Sequence, residues 1–528
     1  MKKWGVIVVL AIAQFVMVLD STVMNVSISA IVKDLNTSVT SLQTAITFYA
    51  LTMAALMLLG AKLCSKWGLL RAFSIGAIVY GAGSFITAIS PNIATLFIGW
   101  SIIEGLGAVL VIPAITALVA TNYSGKMRVT AYAIIGGISG AAAAAGPLIG
   151  GFVTTYLSWR YVFLAETLVM IYVLYKAKSF KDGGAVSKQP IDAVSVVLSS
   201  VGLVLIVYGM LQSKVWGWVE PLSKPEIFGK EVAPLGVSLV TYLIISGIIL
   251  LKLFFDRQHD LMLHKKEPLL DVSLLSRKAL RASVSVLTSQ YLITGAIFFV
   301  VPIYLQMVLG LDALQTGIKI LPLSFALIVF SFVGSRMSHQ YTPKTIVKGG
   351  QVLLIVGSFA LLTALDPQLT GGALGLSFLC VGAGLGLLAS QLANVAVGAA
   401  GEENSSQVGG INGTFQNLGS SLGTALIGSI IVLSLTNGFV TRINASTLPD
   451  NIKSYVQQNS TTGVAIVPPD QVQQYALSEG SSIQEAEDIA TIYGESQLQG
   501  LKQSVVALIV IAVLSMLLSK NIPNKLAD

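Results

Sequence analysis

Charged side chains are scarce in this sequence. Lys, Arg, Asp and Glu make up 11% of its 528 residues, whereas a soluble domain carries about 25%. Hydrophobic residues make up 54% and the mean hydropathy is +0.79, so the chain has too little charge to cover a surface in water. The scarcity excludes a disordered chain and an ordinary soluble enzyme. It predicts an all-α protein that crosses a membrane many times.

Cysteine and histidine are also scarce. The two cysteines, Cys64 and Cys380, fall in or beside apolar segments, and the three histidines are scattered through polar stretches. This excludes a disulfide framework, and neither residue type shows metal-ligand spacing. The sequence has no GxxxxGK[ST] loop for ATP and no Ser/His/Asp arrangement in a suitable place. We therefore expect a protein that is not an enzyme and that holds no metal or cofactor.

Long apolar runs, by contrast, fill the sequence. A helix needs about 20 mostly apolar residues to span a bilayer, and fourteen segments approach this length. The first resembles a signal peptide, but it is too long and contains Asp20, so we predict a retained helix. The candidate spans lie near 5–29, 43–63, 73–90, 94–119, 129–154, 161–176, 192–212, 234–255, 280–309, 314–335, 345–365, 371–398, 407–436 and 501–519.

Positive charge indicates the orientation. When the spans are counted from the N terminus, Lys66 and Arg71 fall on the same side of the membrane as Lys176 and Lys178. Lys and Arg gather on the cytoplasmic side, so we predict a multi-pass protein of the cell membrane with both termini in the cytoplasm. The net charge of +7 then reports orientation, and we expect no nucleic-acid partner.

Three polar segments interrupt the spans. Segment 177–191 contains a Gly-Gly pair and predicts a flexible connector, and segment 256–279 favours an interfacial helix around residues 268–276. Segment 437–500 is acidic and, in this topology, external. Its second half has helix-like periodicity, but a loop of this length is usually either functional or disordered. A folded cap or extended hairpin and a mobile loop are both consistent with the sequence.

Several motifs occur in an order that resembles a known family. They are similar to those of the fourteen-helix drug:proton antiporter branch of the major facilitator superfamily, a group of multidrug exporters. Together they run over nearly the whole chain. The matching stretches are LDSTVMNVSISAI (19–31), GAAAAAGPLIGG (140–151), WRYVFL (159–164), VPIYLQMVLG (301–310) with GIKILP (317–322), and GTFQNLGSSLG (413–423).

The resemblance implies a major facilitator fold whose fourteen helices are arranged as six, two and six. Residues 1–177 would form one half and residues 280–528, with the external segment, the pseudo-symmetric other half. Residues 178–279 would form a linker with two inserted helices and a cytoplasmic interfacial segment. A weak repeat between residues 62–68 and 336–342 agrees with two related halves.

The same resemblance implies a function. The protein would export hydrophobic or cationic small molecules across the lipid bilayer in exchange for protons, by alternating access between its halves. We expect it to work as a monomer. The small molecule, the proton and the bilayer are then its expected partners.

The chain departs from the family at two charged positions. In the loop after the second helix the usual aspartate is Ser65, although Lys66, Gly68 and Arg71 keep part of the loop motif. In the fourth helix the usual arginine is Ser101. These charges normally interact with the gating and coupling machinery, so the usual coupling relay is incomplete in this chain.

Asp20 is the first candidate for proton and cation handling. It lies well inside the first helix, where a carboxylate is expensive unless it faces the bundle interior or water. Met17, Met24 and Ser27 share its helical face, and methionine suits the wall of a cavity for apolar cations. The alternative is a structural hydrogen bond to a neighbouring helix.

Two further carboxylates are candidates for the same task. Glu104 lies about ten residues into the fourth helix, near mid-bilayer, and in the family's fold helices one and four line one cavity. A protonated packing carboxyl is the alternative. Glu166, in the sixth helix, is an outer proton relay, a partner of Arg160 or a side chain that reaches toward the membrane interface.

Two other sets of residues complete the candidate site. The resemblance implies that a glycine-rich kink in the fifth helix closes the outward leak path of exporters, which favours export over uptake; it comprises Gly146, Pro147, Gly150 and Gly151. The candidates for the substrate cavity are Met17, Met24, Asn25, Tyr304, Gln306 and Phe415.

Two other functions remain open. The fold also suits an exporter of a lipid, a lipid-linked precursor or an amphipathic metabolite, because the usual charge pair is missing and the external segment is large. A non-transporting receptor or scaffold would use segment 437–500 as its interaction module. Buried carboxylates argue against the scaffold, which has no need of them.

Overall fold

Long helices make up almost all of the structure. The computed structural model describes residues 4–123, 125–178, 180, 190–227, 230–366, 372–400, 405–460 and 463–524. Within these residues, fourteen long helices fall on the fourteen apolar segments. Helices α1 to α7 are Gly5–Val26, Val39–Trp67, Leu69–Ala88, Ile93–Leu96 continued by Phe97–Glu104 and Gly105–Asn122, Gly125–Tyr156, Arg160–Ala177 and Ala193–Trp216. Helices α8 to α14 are Leu239–Leu263, Lys278–Ile303 continued by Tyr304–Val308, Ala313–Met337, Pro343–Ala364, Ala373–Ala400, Ser405–Ala445 and Ile483–Leu518.

Not all of these helices are equally suited to cross a membrane. Twelve are long and apolar enough, and α5 adds a thirteenth if its two arms, which meet at 42°, form one span. The remaining helix, α6, carries Arg160, Glu166 and Lys176 within its 18 residues. The described residues thus support 12 or 13 spans, and fourteen stays a prediction.

Short elements connect the long helices. A five-residue helix, Val272–Ser276, lies within the predicted interfacial helix. Two antiparallel β-strands of two residues each, Glu226–Ile227 and Lys230–Glu231, lie between α7 and α8. Residues 181–189 of the predicted connector lie outside the described residues.

The first helix ends earlier than predicted. It stops at Val26, and after Ser27 the chain begins a short helix, Ile28–Asp34. Gln306 of α9 bridges the break, because its side-chain amide donates to the Val26 carbonyl at 3.0 Å and accepts from the Ser29 amide at 2.9 Å. These bonds satisfy backbone groups that a continuous helix would have paired internally.

The helices α5 and α10 approach each other most closely at one end. The Leu314 amide donates to the Thr155 hydroxyl at 3.1 Å, and a Cβ added at Gly151 would lie 2.6 Å from the Ala313 carbonyl oxygen. A Cβ at Gly137, farther along α5, would have no described atom of another element within 4 Å. We call the end at Thr155 and Leu314 the closed end.

The inserted pair α7 and α8 is attached to the rest of the bundle. The Ser429 hydroxyl of α13 donates to the Met210 carbonyl at 2.9 Å. The buried Lys214 amine donates to the Gln43 side chain of α2 at 3.0 Å, and Gln43 in turn donates to the Thr424 carbonyl at 2.9 Å. One amide side chain thus joins α2, α7 and α13.

Asp192 connects α7 to α8. Its carboxylate caps α7 by accepting from the Ser195 amide at 3.0 Å, and it accepts two bonds from Arg257 of α8, at 3.0 and 3.2 Å. The Arg257 guanidinium lowers the pKa of Asp192 from 3.8 to about 2. Because the folded pKa lies below the unfolded one, the stabilisation is complete above about pH 4 and is lost as the pH falls through about 2.

The Asp192→Asn variant is expected to lose about 1 kcal/mol of stability at pH 7, since the pair is partly exposed and screened. Asparagine still caps a helix, so the loss reports the ion pair. Thermal unfolding in detergent at pH 7 measures it as a lower Tm. Asp260→Asn is the control, because Asp260 lies 3.9 Å from Arg257 and is 52% exposed. Equal Tm values for Asp192→Asn and wild type would contradict the prediction.

Helices α13 and α14 are longer than the membrane requires. Their 41 and 36 residues extend about 61 and 54 Å at 1.5 Å per residue, whereas the apolar core of a bilayer is about 30 Å thick. Two short helices, Asp450–Asn459 and Pro469–Ser478, cover the projecting ends. The described part of segment 437–500 is therefore a folded helical cap, as one of the two alternatives predicted, and we call this segment the cap.

Candidate proton site and gate

Three buried carboxylates from three helices meet inside the N-terminal part of the bundle. Asp20 of α1, Glu104 of α4 and Glu166 of α6 each offer a carboxylate oxygen, and these oxygens lie within 4.8 Å of one another. Asp20 and Glu104 are fully buried, and Glu166 is 2% exposed. We call these three residues the carboxylate cluster.

Close packing of α3 against α4 contributes to this arrangement. Gly83 of α3 lies so near α4 that an added Cβ would be 2.5 Å from the Glu104 nitrogen. In the same stretch, Phe97–Glu104, α4 is a π-helix, a conformation that appears mostly as single-turn insertions, frequently at functional sites. The wider turn changes the direction in which the following side chains point, so it helps to aim Glu104.

Asp20 has a dedicated hydrogen-bond donor. The indole nitrogen of Trp100 lies 2.9 and 3.0 Å from the two carboxylate oxygens of Asp20. The Trp100 ring is stacked on the Tyr49 ring, with centroids 4.6 Å apart and planes 7° apart. Stacking fixes the indole, so the donor is aimed at Asp20.

Glu104 and Glu166 are less completely satisfied. Ser84 of α3 donates to one oxygen of Glu166 at 3.0 Å. The other oxygen of Glu166, both oxygens of Glu104 and the hydroxyl of Tyr80 are buried without a hydrogen-bond partner among the described residues. Unsatisfied buried oxygens are costly, and protons on the carboxyls lower that cost by removing charge and adding donors.

Three carboxylates this close cannot all be ionised together in an apolar interior. Each charge costs desolvation energy and repels the other two. Among the ion pairs that the structure describes, none involves these three side chains. Ionisation of any one of the three carboxyls therefore disfavours ionisation of the other two.

The carboxylate cluster is also a possible donor set for a hard divalent cation. Such an ion requires six or more oxygen ligands, whereas both oxygens of Asp20 already accept the Trp100 indole hydrogen. A proton needs only one oxygen and no coordination sphere. The geometry fits proton binding better than metal binding.

The alternative that Glu166 pairs with Arg160 was wrong. Arg160 does not pair with Glu166, because its guanidinium binds Asp34 at 2.9 Å and the carbonyl oxygens of Ala88 and Ser90 at 3.2 and 2.6 Å. These partners lie at the helix ends, whereas Glu166 is six residues into α6 and points into the bundle. Glu166 is thereby left to join Asp20 and Glu104.

Three substrate-cavity candidates lie on α1 with Asp20. Met17 and Met24 are 5% and 0% exposed and belong to the hydrophobic core. The Asn25 amide donates to the Ser21 carbonyl at 2.7 Å, while its side-chain oxygen is buried without a partner among the described residues. The two methionines are buried and Asn25 is half-buried, and the contact of all three with substrate stays a prediction.

The other three candidates lie in the C-terminal part of the chain. The Tyr304 hydroxyl donates to the Asp366 carbonyl at 2.7 Å, and the Gln306 amide bridges the break in α1. Both are buried side chains that hold backbone groups. Phe415 is partly buried and packs against a small cluster that includes Val408. Tyr304 and Gln306 are therefore placed as structural contacts at the closed end, and their substrate role also stays a prediction.

The glycine motif of α5 lies against α1 and α10. A Cβ added at Gly146 would overlap Thr22, and one at Gly150 would lie 2.8 Å from Val23. Gly151 approaches α10 in the same way, and Pro147 lies in the second arm of the bent helix, which ends at Tyr156. The motif allows three helices to approach closely and so forms part of the closed end.

The loop after α2 has a different arrangement. Gly68 joins α2 to α3 with φ of +91°, a conformation that glycine adopts without strain. Lys66 is partly exposed and Arg71 is exposed. Neighbouring Lys62 pairs with Glu267 at 2.7 Å, so a different basic residue of α2 connects to the segment after α8.

Sequence reasoning missed three residues of this site. Trp100, Ser84 and Tyr80 surround the carboxylate cluster but resemble ordinary core residues in the sequence. Tyr80 and Ser84 are four residues apart, which places them on one face of α3. That spacing was the available signal, but it does not show which helix the face meets.

Comparison with known proteins gives a consistent set of relatives. The sequence model of the Major Facilitator Superfamily matches residues 10–424. The puromycin resistance protein pur8 of Streptomyces alboniger is 28% identical over 438 residues, which cover 81% of this chain and 82% of that protein. The tetracenomycin C resistance and export protein of Streptomyces glaucescens is 25% identical over 85% of this chain and 79% of that protein. The multidrug efflux pump LfrA of Mycolicibacterium smegmatis is 25% identical over 81% of each chain.

Solved structures agree on the fold. A bacterial homolog of the human lysosomal transporter Spinster aligns with a TM-score of 0.64 at 13% identity, covering 98% of this chain and 97% of that one. A D-xylose-proton symporter aligns with a TM-score of 0.56 at 13% identity, over 81% and 90% of the two chains. The family match over most of the chain and these shared folds lead to one conclusion. This chain belongs to the Major Facilitator Superfamily and is a membrane transporter, not an enzyme.

Proposed function

We propose that this chain exports hydrophobic or cationic small molecules in exchange for protons. The carboxylate cluster carries this proposal, because its three carboxylates lie within 4.8 Å of one another, close enough to share protons. Among the buried side chains that the structure describes, only Lys214 is charged besides them. The names of the relatives, which include resistance and export proteins, support the export direction and the cargo class.

The exchange follows from competition for one group of charges. A cation near Asp20 stabilises the ionised carboxylate and so releases a proton from the cluster. A proton entering the cluster removes the negative charge that holds the cation. Since the two ligands exclude each other, each passage of a proton inward accompanies the release of a cation.

Helix α1 connects the cluster to the closed end. Asp20 belongs to the cluster, Val23 packs on Gly150, and the Val26 carbonyl accepts from Gln306. Six residues separate Asp20 from Val26, about 9 Å along the helix. A shift of α1 that follows a change in the charge of Asp20 therefore reaches the closed end directly, which supplies the coupling that alternating access requires.

The arrangement of the halves is part of the proposal. Residues 1–177 and 280–528 would rock against each other, with fourteen spans in total and 178–279 as the inserted linker. The cell membrane with cytoplasmic termini is the proposed location. On that orientation the closed end faces outward.

Ethidium efflux from proteoliposomes tests the function. Purified protein is reconstituted, and a pH gradient of one unit is imposed in each direction. A gradient that is acidic outside drives protons inward as ethidium leaves, and it is expected to speed efflux. Dissipating this gradient with an ionophore should return the efflux rate to that of protein-free liposomes. A reversed gradient is the control.

The results separate the candidate functions. Ethidium efflux that ignores the gradient would reject proton exchange. Absence of efflux from correctly inserted protein would reject ethidium as cargo and move the lipid or amphipathic-metabolite exporter ahead. A scaffold would transport no cargo at all. If the protein is a scaffold, deletion of segment 437–500 should remove its partner binding, because that segment would be its interaction module.

A further inference from the structure

The cap contains a cavity that the transport mechanism does not use. Its volume is about 800 Å³, which lies within the range of small-molecule pockets. The floor is formed by Phe439 of α13 and Tyr493 of α14, whose rings meet edge to face at 5.7 Å. The walls are the two short helices of the cap, Asp450–Asn459 and Pro469–Ser478.

Hydrogen bonds hold the cavity open. The Tyr493 hydroxyl donates to the Ala465 carbonyl at 2.8 Å and accepts from the Val467 amide at 3.0 Å. The Gln497 amide donates to the Val467 carbonyl at 3.0 Å. These bonds fix residues 465–467 against α14. Because interiors normally pack without large voids, a void held by specific bonds indicates a preformed site.

The rim of the cavity is aromatic. Tyr455 and Tyr475, one from each short helix, share a hydrogen bond between their hydroxyls at 2.8 Å. They are 42% and 55% exposed, so their rings are available to a ligand from solvent. The bond to Tyr455 and the charge of Glu479 raise the pKa of Tyr475 to about 12, so the ring stays neutral at physiological pH.

The charged residues that line the cavity are all acidic. Glu479 and Glu485 are its charged members, and no Lys, Arg or His is found among the described lining residues. The nearby Lys453 and Arg442 are paired, with Asp450 at 4.0 Å and with Glu495 at 3.7 Å. Tyrosine faces and carboxylates without competing bases attract organic cations.

We propose that the cap cavity, lined by Phe439, Tyr455, Tyr475, Glu479, Glu485 and Tyr493, is a second binding site, which holds hydrophobic organic cations outside the membrane. It binds them by cation–π contact with the tyrosine faces and by attraction to the two carboxylates. The site is independent of the carboxylate cluster, so binding here does not depend on proton exchange.

Cysteine protection tests the site in the full-length protein. Cys64 and Cys380 are replaced by alanine, and Gln471→Cys, which lies in the cavity lining, is labelled with a membrane-impermeant maleimide in proteoliposomes. Saturating tetraphenylphosphonium is expected to slow the labelling of this cysteine about tenfold, since a bound ligand shields the thiol from solvent. Gln474→Cys is the matched control, because Gln474 is exposed on the same helix but does not line the cavity.

Charge and aromaticity are separated by two further comparisons. Tetraphenylborate has the shape of tetraphenylphosphonium with the opposite charge, and it is expected not to protect Gln471→Cys. Glu479→Gln should weaken the apparent affinity for tetraphenylphosphonium about twofold to fivefold, and Tyr475→Ala about fivefold. An unchanged labelling rate of Gln474→Cys in each variant shows that the cap still folds.

Three results would overturn the proposal. Protection of both cysteines would indicate a general change rather than a site. Equal protection by the two ions would show an apolar pocket without charge selection. An absence of protection would show that the cavity holds no organic cation, whether or not ethidium efflux is observed.

Discussion

Replacement of Asp20 by asparagine is expected to abolish the gradient dependence of ethidium efflux. One proton per cycle and a pH difference of one unit support about a tenfold accumulation ratio, because one unit corresponds to about 1.4 kcal/mol. In Asp20→Asn the member of the cluster that Trp100 holds cannot release a proton. The accumulation ratio should therefore fall to about one.

The measurement is the steady-state ethidium ratio across proteoliposomes with and without the gradient. Asp271→Asn is the control, since Asp271 caps a short helix far from the cluster and asparagine also caps. If Asp20→Asn keeps a tenfold ratio, the coupling role passes to Glu104 or Glu166, and their glutamine variants become the test. Loss of coupling in Asp271→Asn as well would show that the assay reports general damage.

Replacement of Gly151 by valine is expected to prevent the closed end from forming. A Cβ at this position would lie 2.6 Å from the Ala313 carbonyl oxygen and 2.8 Å from the Leu314 Cα, and backbone atoms cannot rotate away. Overpacking of this kind costs about 2–3 kcal/mol, which lowers the population of the closed state about 30-fold to 150-fold. Efflux should fall by a similar factor, because alternating access requires that state.

The matched control lies on the same helix. Gly137→Val adds the same side chain where no described atom of another element lies within 4 Å, so efflux should remain near that of wild type. Initial efflux rates, corrected for the amount of inserted protein, compare the two variants. Equal rates for Gly151→Val and wild type would mean that the close contact of α5 with α10 is not needed for transport. Equal losses in both would point to a general effect of valine in α5.

The fold and its family were largely predictable from the sequence. Apolar length is a local property, so each predicted segment coincides with a long helix of the structure. The motifs from Leu19 to Gly423 correctly predicted the Major Facilitator Superfamily. The number of spans was less predictable, because α6 combines three charged residues with a short length. Because Glu166 is buried against other helices, α6 can carry this charged residue despite its short length.

The details of the helices were harder to predict. The break after Val26 depends on Gln306, a residue some 280 positions away, and nothing in the local sequence demands it. The π-helical stretch of α4 changes which face of the helix Glu104 occupies. A pattern read with an ordinary helical period cannot detect this change, since each residue rotates the face by about 100°.

The sequence by itself determined that this protein is a membrane transporter, where its helices lie, and that Asp20, Glu104 and Glu166 are expensive to bury. Only the tertiary structure decided that these three carboxylates meet, that Trp100 holds one of them, and that the cap encloses a cavity. The reason is physical: hydrophobicity and charge belong to each residue, whereas distances between helices depend on how all their surfaces pack together.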